Sequence, residues 1–161
     1  MSETQHDTFN SILAHSRSLM FRHFLEPEVA PYPSEAWSFV ASFDRVPLAR
    51  FVCSDVRAIS DRWWRSATER DLFDKNHDVL MSFGGAGGLP WALVHIDYGS
   101  PFFEELMHAP GDIEFVCLSV RGGVLIAVVA VEDDVWIVDG VYDPNIKQKF
   151  RVRDVVDVMT P

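Results

Sequence analysis

Long apolar runs are missing from this sequence. The longest, Val124 to Val131, has eight residues, where a membrane-spanning helix needs about twenty. Cysteine is almost missing as well: Cys53 and Cys117 both stand in apolar settings and build no disulfide framework. There is no Cys-x-x-Cys to bind zinc, and His6, His15 and His23 are spaced too widely to put two ligands on one helix face. The N-terminal stretch MSETQHDTFN has neither the basic start nor the apolar block of a secretory signal. Basic residues are scarce: 14 Lys and Arg stand against 24 Asp and Glu, for a net charge of −10. That balance speaks against general nucleic-acid binding, which needs a basic footprint. The expectation is a soluble, cytoplasmic protein that needs no metal and no cofactor.

What is present is a core. An apolar fraction of 48% with twelve Phe and five Trp excludes a disordered chain. At 161 residues the chain can bury roughly two-thirds of its unfolded surface. It shows no internal repeat, low-complexity tract or linker, so one domain over 1–161 is expected.

The acidity is regional. From Val79 to Asn145 ten acids (Asp97, Glu104, Glu105, Asp112, Glu114, Glu132, Asp133, Asp134, Asp139, Asp143) face one base, Arg121. The preceding stretch, Ser54 to Asp78, is nearly neutral, and the C-terminal one is mildly basic through Lys147, Lys149, Arg151 and Arg153. Such an asymmetry describes one surface rather than the whole molecule.

Helical signals come first along the chain. Asp7 or Thr8 can cap a helix whose face carries Phe9, Ile12, Leu13, Met20 and Phe24, ending before the prolines of EPEVAPYP. SEAWSFVASF fits a helix or a strand, with helix the preferred reading, Pro47 can open a helical turn through Cys53, and SDVRAISDRWWRSATERDLF reads as a helix capped by Ser54. The arginines of that last segment (Arg57, Arg62, Arg65, Arg70) sit beside acids at local spacing, as on a solvated face.

After Asn76 the pattern changes. DVLMSF reads as a strand, GGAGG as a loop, LPWALVHIDYG as a strand and SPFFEELMHAP as a short helix with Ser100 as cap. Ile113–Val120, Val124–Val131 and Val135–Tyr142 then form three strands, separated by Arg121-Gly122-Gly123 and by Glu132-Asp133, which predicts an antiparallel meander. KQKFRVRDVVDVM closes the chain as a further strand followed by a short turn or helix. The fold class is therefore α+β, with N-terminal helices packed on a C-terminal antiparallel β-sheet.

Three segments carry possible chemistry. In VEDDVWIVDGVYDP the acids are split by strand-forming residues and fall at the strand ends, unlike the alternating oxygens of a calcium loop. Solvated turn carboxylates explain much of the stretch. The sharper reading is a partner-facing acidic rim of Glu132, Asp133, Asp134, Asp139 and Asp143 with Trp136 and Tyr142 as anchors. SFGGAGGLPW resembles a phosphate loop but has no Lys-Ser or Lys-Thr after it and leads into a strand, so it reads as a hairpin connection or a ligand-gating loop. His95 and Asp97 share one strand face, and with Cys53 they would make a Cys-His-Asp hydrolase site; this is the rival class to a binding protein. Trp63 and Trp64 are adjacent on a helix, one suited to the core and the other to a boundary.

In size, regional charge and lack of a catalytic motif the chain resembles the immunity proteins of bacterial toxin systems, particularly those of contact-dependent growth inhibition. The resemblance implies a cognate toxin domain, often a cationic nuclease, as a tightly bound basic protein partner. It carries over no individual residue.

Overall fold

Seven strands in the order β1-β4-β3-β5-β6-β7-β2, every neighbouring pair antiparallel, form the single sheet around which the described chain is built. The computed structural model describes residues 2–26, 28, 30, 32–41, 49–52, 56–106, 114–131 and 134–142. The elements are α1 (Ser2–Ala14), β1 (Leu19–Phe24), α2 (Ser34–Val40), β2 (Ala49–Val52), α3 (Val56–Glu69), β3 (Asp78–Phe83), β4 (Ala92–Ile96), α4 (Phe102–Leu106), β5 (Phe115–Leu118), β6 (Gly123–Val131) and β7 (Asp134–Tyr142). The α+β class and the β5-β6-β7 meander agree with the sequence, and the long β6–β7 hairpin closes at the pair Val131–Asp134.

Both faces of the sheet are covered, which is why its central strands are apolar without alternation. On one face Val79, Met81, Val94, Ile96, Phe115, Cys117, Ile126 and Ile137 meet Phe9 and Ile12 of α1, Ile59 and Trp63 of α3, and Phe102, Phe103 and Leu106 of α4. On the other, Leu80, Leu93, Val116, Leu118, Leu125 and Val138 meet Ala36 and Val40 of α2, with Leu25 and Trp91. Trp37 on α2 donates its indole N–H to the Ser82 hydroxyl at 2.9 Å, which satisfies two polar groups within that layer.

The helices are not confined to the N-terminal half, and two strands come earlier than expected. The first helix stops at Ala14 instead of running to Phe24, and Leu19–Phe24 is an edge strand paired with β4. Serines at 16 and 18 explain the stop: their hydroxyls donate to Glu105 of α4, a tie that a continuing helix would break. Met20, placed on the helix face by its spacing, is instead exposed on the far side of the sheet from Leu19 and Phe21. Ala49–Val52, expected within a helical turn, is the other edge strand and pairs with β7. Pro47, Cys53, the Ser54 cap and the strand with its following turn or helix expected over 147–159 lie outside the described residues.

At its C-terminal end α3 closes with two backbone bonds, Leu72 N–H to Ala67 O (3.0 Å) and Asp71 N–H to Thr68 O (3.2 Å). Asp71 takes the left-handed conformation (φ 59°) that this helix ending requires and that glycine usually supplies.

Candidate functional site

The acidic stretch follows the two-residue alternation of a strand, which disperses it. Val135 and Ile137 point to the α1/α3/α4 face, whereas Trp136 packs half-buried against the α2 side. Asp139 belongs to the face of Val135 and Ile137 and forms an ion pair with Arg70, just past the end of α3. Asp134 opens β7 and Tyr142 ends it; eight residue steps at about 3.3 Å put the two roughly 26 Å apart. Glu132, Asp133 and Asp143 and the side chain of Tyr142 lie outside what is described. The described rim side chains, Asp134, Trp136 and Asp139, are therefore spread along the strand and over two faces. Other acids of the same region also have internal duties. Glu105 accepts hydrogen bonds from the hydroxyls of Ser16 and Ser18 and the backbone N–H of Arg17 and Ser18. Its burial opposes ionisation, but the four donors outweigh it and hold the carboxyl below its ordinary range. Glu114 accepts the Ala130 N–H at 2.7 Å.

His95 is half-buried between two carboxylates. Its Nδ1 donates to the Asn76 carbonyl at 2.9 Å and lies 3.4 Å from Asp78 Oδ1, while Nε2 lies 3.4 Å from Asp97 Oδ1. His95 and Asp97 are thus together, as their spacing predicted. Asp78 was not singled out in the sequence; the signal was an acid opening an otherwise apolar strand. Its side chain is only 1% exposed, and Arg22 reaches over β4 from β1 to place Nε 3.1 Å from Oδ1. Burial pushes the Asp78 carboxyl up from its ordinary value, against the lowering pull of Arg22. Its Oδ2 is buried without a hydrogen-bond partner among the described residues. Cys53, the nucleophile of the hydrolase reading, lies outside the described residues. Cys117 is fully buried, and burial raises its thiol well above the ordinary value, so it is un-ionised at neutral pH.

The glycine loop is packed in place rather than poised as a lid. Ala86 and Leu89 are buried in the core, and Gly88 N–H donates to Gln5 Oε1 of α1 at 2.7 Å. A Cβ at Gly87 would meet the Trp37 indole nitrogen at 3.3 Å. Of the tryptophan pair, Trp63 is core and Trp64 lies at the boundary. Trp64 stacks on Phe73 (5.6 Å, 19°) and donates Nε1–H to the Ser100 carbonyl at 3.1 Å. A cavity of about 620 Å³ lies between residues 70–75 and the 119–124 turn, and its lining includes Arg70, Lys75 and Arg121 together with Asp71 and Asp74. Its mixed charge favours neither an anion nor a cation.

Sequence reasoning missed the turn after β4. Asp97, Tyr98 and Gly99 are all exposed there, and Tyr98 lies against the rings of Trp64 and His77. The D-Y-G-S-P run was its signal. No helix among the described residues is long and apolar enough to cross a membrane, and they hold no group of three or more His, Cys, Asp or Glu that could bind a metal. Comparisons with protein-family models, curated proteins and solved structures found no match.

Proposed function

We propose that this chain is a binding protein that occupies a basic protein partner, in the manner of an immunity protein that blocks a cognate toxin nuclease. The observation that carries the reading is the ten-to-one excess of acids over bases from Val79 to Asn145. Three of those acids, Glu105, Glu114 and Asp139, are engaged inside the fold. The other seven still face a single arginine in the sequence, where a surface with no charged partner would ordinarily mix signs. The carboxylates would take the phosphate-binding positions of a cationic nuclease, and opposite charge would speed encounter. Glu132-Asp133-Asp134 is the densest acidic run in the stretch. The test is binding of the purified chain to the product of the neighbouring gene, followed by biosensor kinetics at 50 and 300 mM salt. The expected outcome is tight binding whose association rate falls at the higher salt, with a further loss on reversing charge at Asp133 and Asp134 together. Absence of binding by the wild-type chain would sink the reading.

A further inference from the structure

β1 ends the sheet, with β4 on one side and no strand among the described residues on the other. Two hydrogen bonds fix which of its backbone groups face the open side. Asp97 N–H donates to Ser18 O (3.2 Å), and these two residues stand opposite each other in the register that pairs Leu19 with Ile96. Such bonded pairs alternate along an antiparallel ladder, so Met20 turns its backbone groups to β4 while Leu19 and Phe21 turn theirs outward. Past the bulge between Phe21 and His23 the edge is different. Leu25 N–H donates to Trp91 O (2.9 Å), which leaves Phe24 facing out, and His23 Nδ1 caps the Phe24 carbonyl at 3.1 Å.

The side chains leave the 19–21 half unguarded. A charge on an edge strand normally keeps other strands away. Arg22 does not serve that purpose, because its guanidinium turns inward over β4 to place Nε 3.1 Å from Asp78 Oδ1. Met20 is 57% exposed. From His15 to Leu25 there is no Asp or Glu, in a chain of net charge −10. Like copies therefore repel least along this edge.

Outward N–H and C=O groups on residues two apart are matched together by another extended strand. Paired antiparallel with itself, β1 sets Leu19 of one copy against Phe21 of the other, and Phe21 against Leu19. That gives about four backbone hydrogen bonds around a two-fold axis. Met20 falls on the axis opposite its copy, in the closely spaced kind of pair, and each covers the other. We infer that Leu19–Phe21 is where a second copy of this chain docks, joining two sheets into one. The contact is short, so the dimer is weak and depends on concentration.

The test is sedimentation of the purified chain from 20 µM to 1 mM, beside M20A, M20K and M20C. The expected result is reversible dimerisation that M20A changes little and M20K, with like charges on the axis, weakens about tenfold. Amide exchange at Leu19 and Phe21 should slow as concentration rises, while that of Met20, already bonded to β4, stays constant. M20C should form a covalent dimer under mild oxidation, since such a pair lies within disulfide reach, and the wild type with its own cysteines is the control. Met20 is exposed, so matching thermal melts show that the variants are folded. A chain that is monomeric throughout would overturn the inference, as would a dimer that M20K leaves intact and M20C does not trap. If the wild type stays monomeric yet M20K weakens binding to the product of the neighbouring gene, the edge receives a strand of that partner and the second copy is ruled out.

Discussion

Replacing Arg22 by Met removes the guanidinium next to the most deeply buried carboxylate described and keeps the apolar stem that spans β4. Asp78 depends on that guanidinium: its side chain is 1% exposed, Oδ1 lies 3.1 Å from Arg22 Nε, and Oδ2 has no hydrogen-bond partner among the described residues. Losing one partner of a fully buried pair costs about 3–5 kcal/mol. Arg22 is 27% exposed, so solvent already screens part of the interaction and a loss of about 2–3 kcal/mol at pH 8 is the working figure.

The pH dependence gives the sharper test. Burial raises the Asp78 carboxyl in the folded state above its unfolded value of about 3.9. Between those two values the folded chain holds the extra proton, so stability falls as pH rises through the window and the loss is complete above it. R22M should raise the folded value further and extend the window upward. Its penalty should be largest at pH 8 and shrink toward pH 5. Adding D78N removes the buried charge, so R22M/D78N should recover most of the loss. Urea unfolding of wild type, R22M, D78N and the double variant at pH 5 and pH 8 measures all of this. An R22M penalty equal at both pH values, or a double variant no more stable than R22M at pH 8, would refute the account.

Three further outcomes follow from the packing. Trp63 is fully buried with the rings of Trp64, Phe73, Phe102 and Phe115 at 5.0–6.2 Å; W63A should cost about 3–5 kcal/mol, a fall in Tm on the order of 10 °C by calorimetry. E105Q should lose about 1 kcal/mol at pH 7 by weakening the charged acceptor of the 16–18 segment. Because the folded Glu105 carboxyl is lowered, that stabilisation is present above its unfolded pKa and disappears as pH falls through the folded one, so denaturation curves of E105Q and wild type should converge as the pH is brought below the ordinary carboxylate range. Asp71 holds a left-handed conformation at φ 59°, so D71G should raise stability by roughly 0.5 kcal/mol, net of glycine's larger unfolded-state entropy; a less stable D71G in urea would contradict the strain argument.

The strands β3 to β7 were legible because each is an apolar run bounded by glycine or by acids, and α2, α3 and α4 because turn residues bracket them. Strands β1 and β2 were not. In LMFRHF the spacing of Met20 and Phe24 continues the period set by Phe9, Ile12 and Leu13, and a four-residue offset also occurs by chance in a strand. What decides the matter is the pairing of Leu19–Phe24 with β4 and the capture of Ser16 and Ser18 by Glu105. Both partners lie far along the chain, where a local period carries no information. Ala49–Val52 is the same case, a four-residue edge fixed only by β7.

The same distinction explains which site residues could be read. His95 and Asp97 are two apart, so the alternation of β4 carried one residue past its end brings them together, with Nε2 3.4 Å from Oδ1. The two-residue period of a strand likewise accounts for Trp136 and Asp139 of β7 facing opposite sides. It could not reveal that Asp139 is neutralised by Arg70, because that base arrives from the end of another element. Arg22, Asp78 and His95 meet only because β1 and β3 flank β4, and no spacing in the sequence encodes a strand order. The Asp97–Tyr98 turn lies between these cases. Its D-Y-G-S-P run specifies a tight exposed turn, so the exposure of the pair was locally encoded. The aromatic base that stiffens it was not, since α3 contributes Trp64 and the segment after α3 contributes Phe73 and His77.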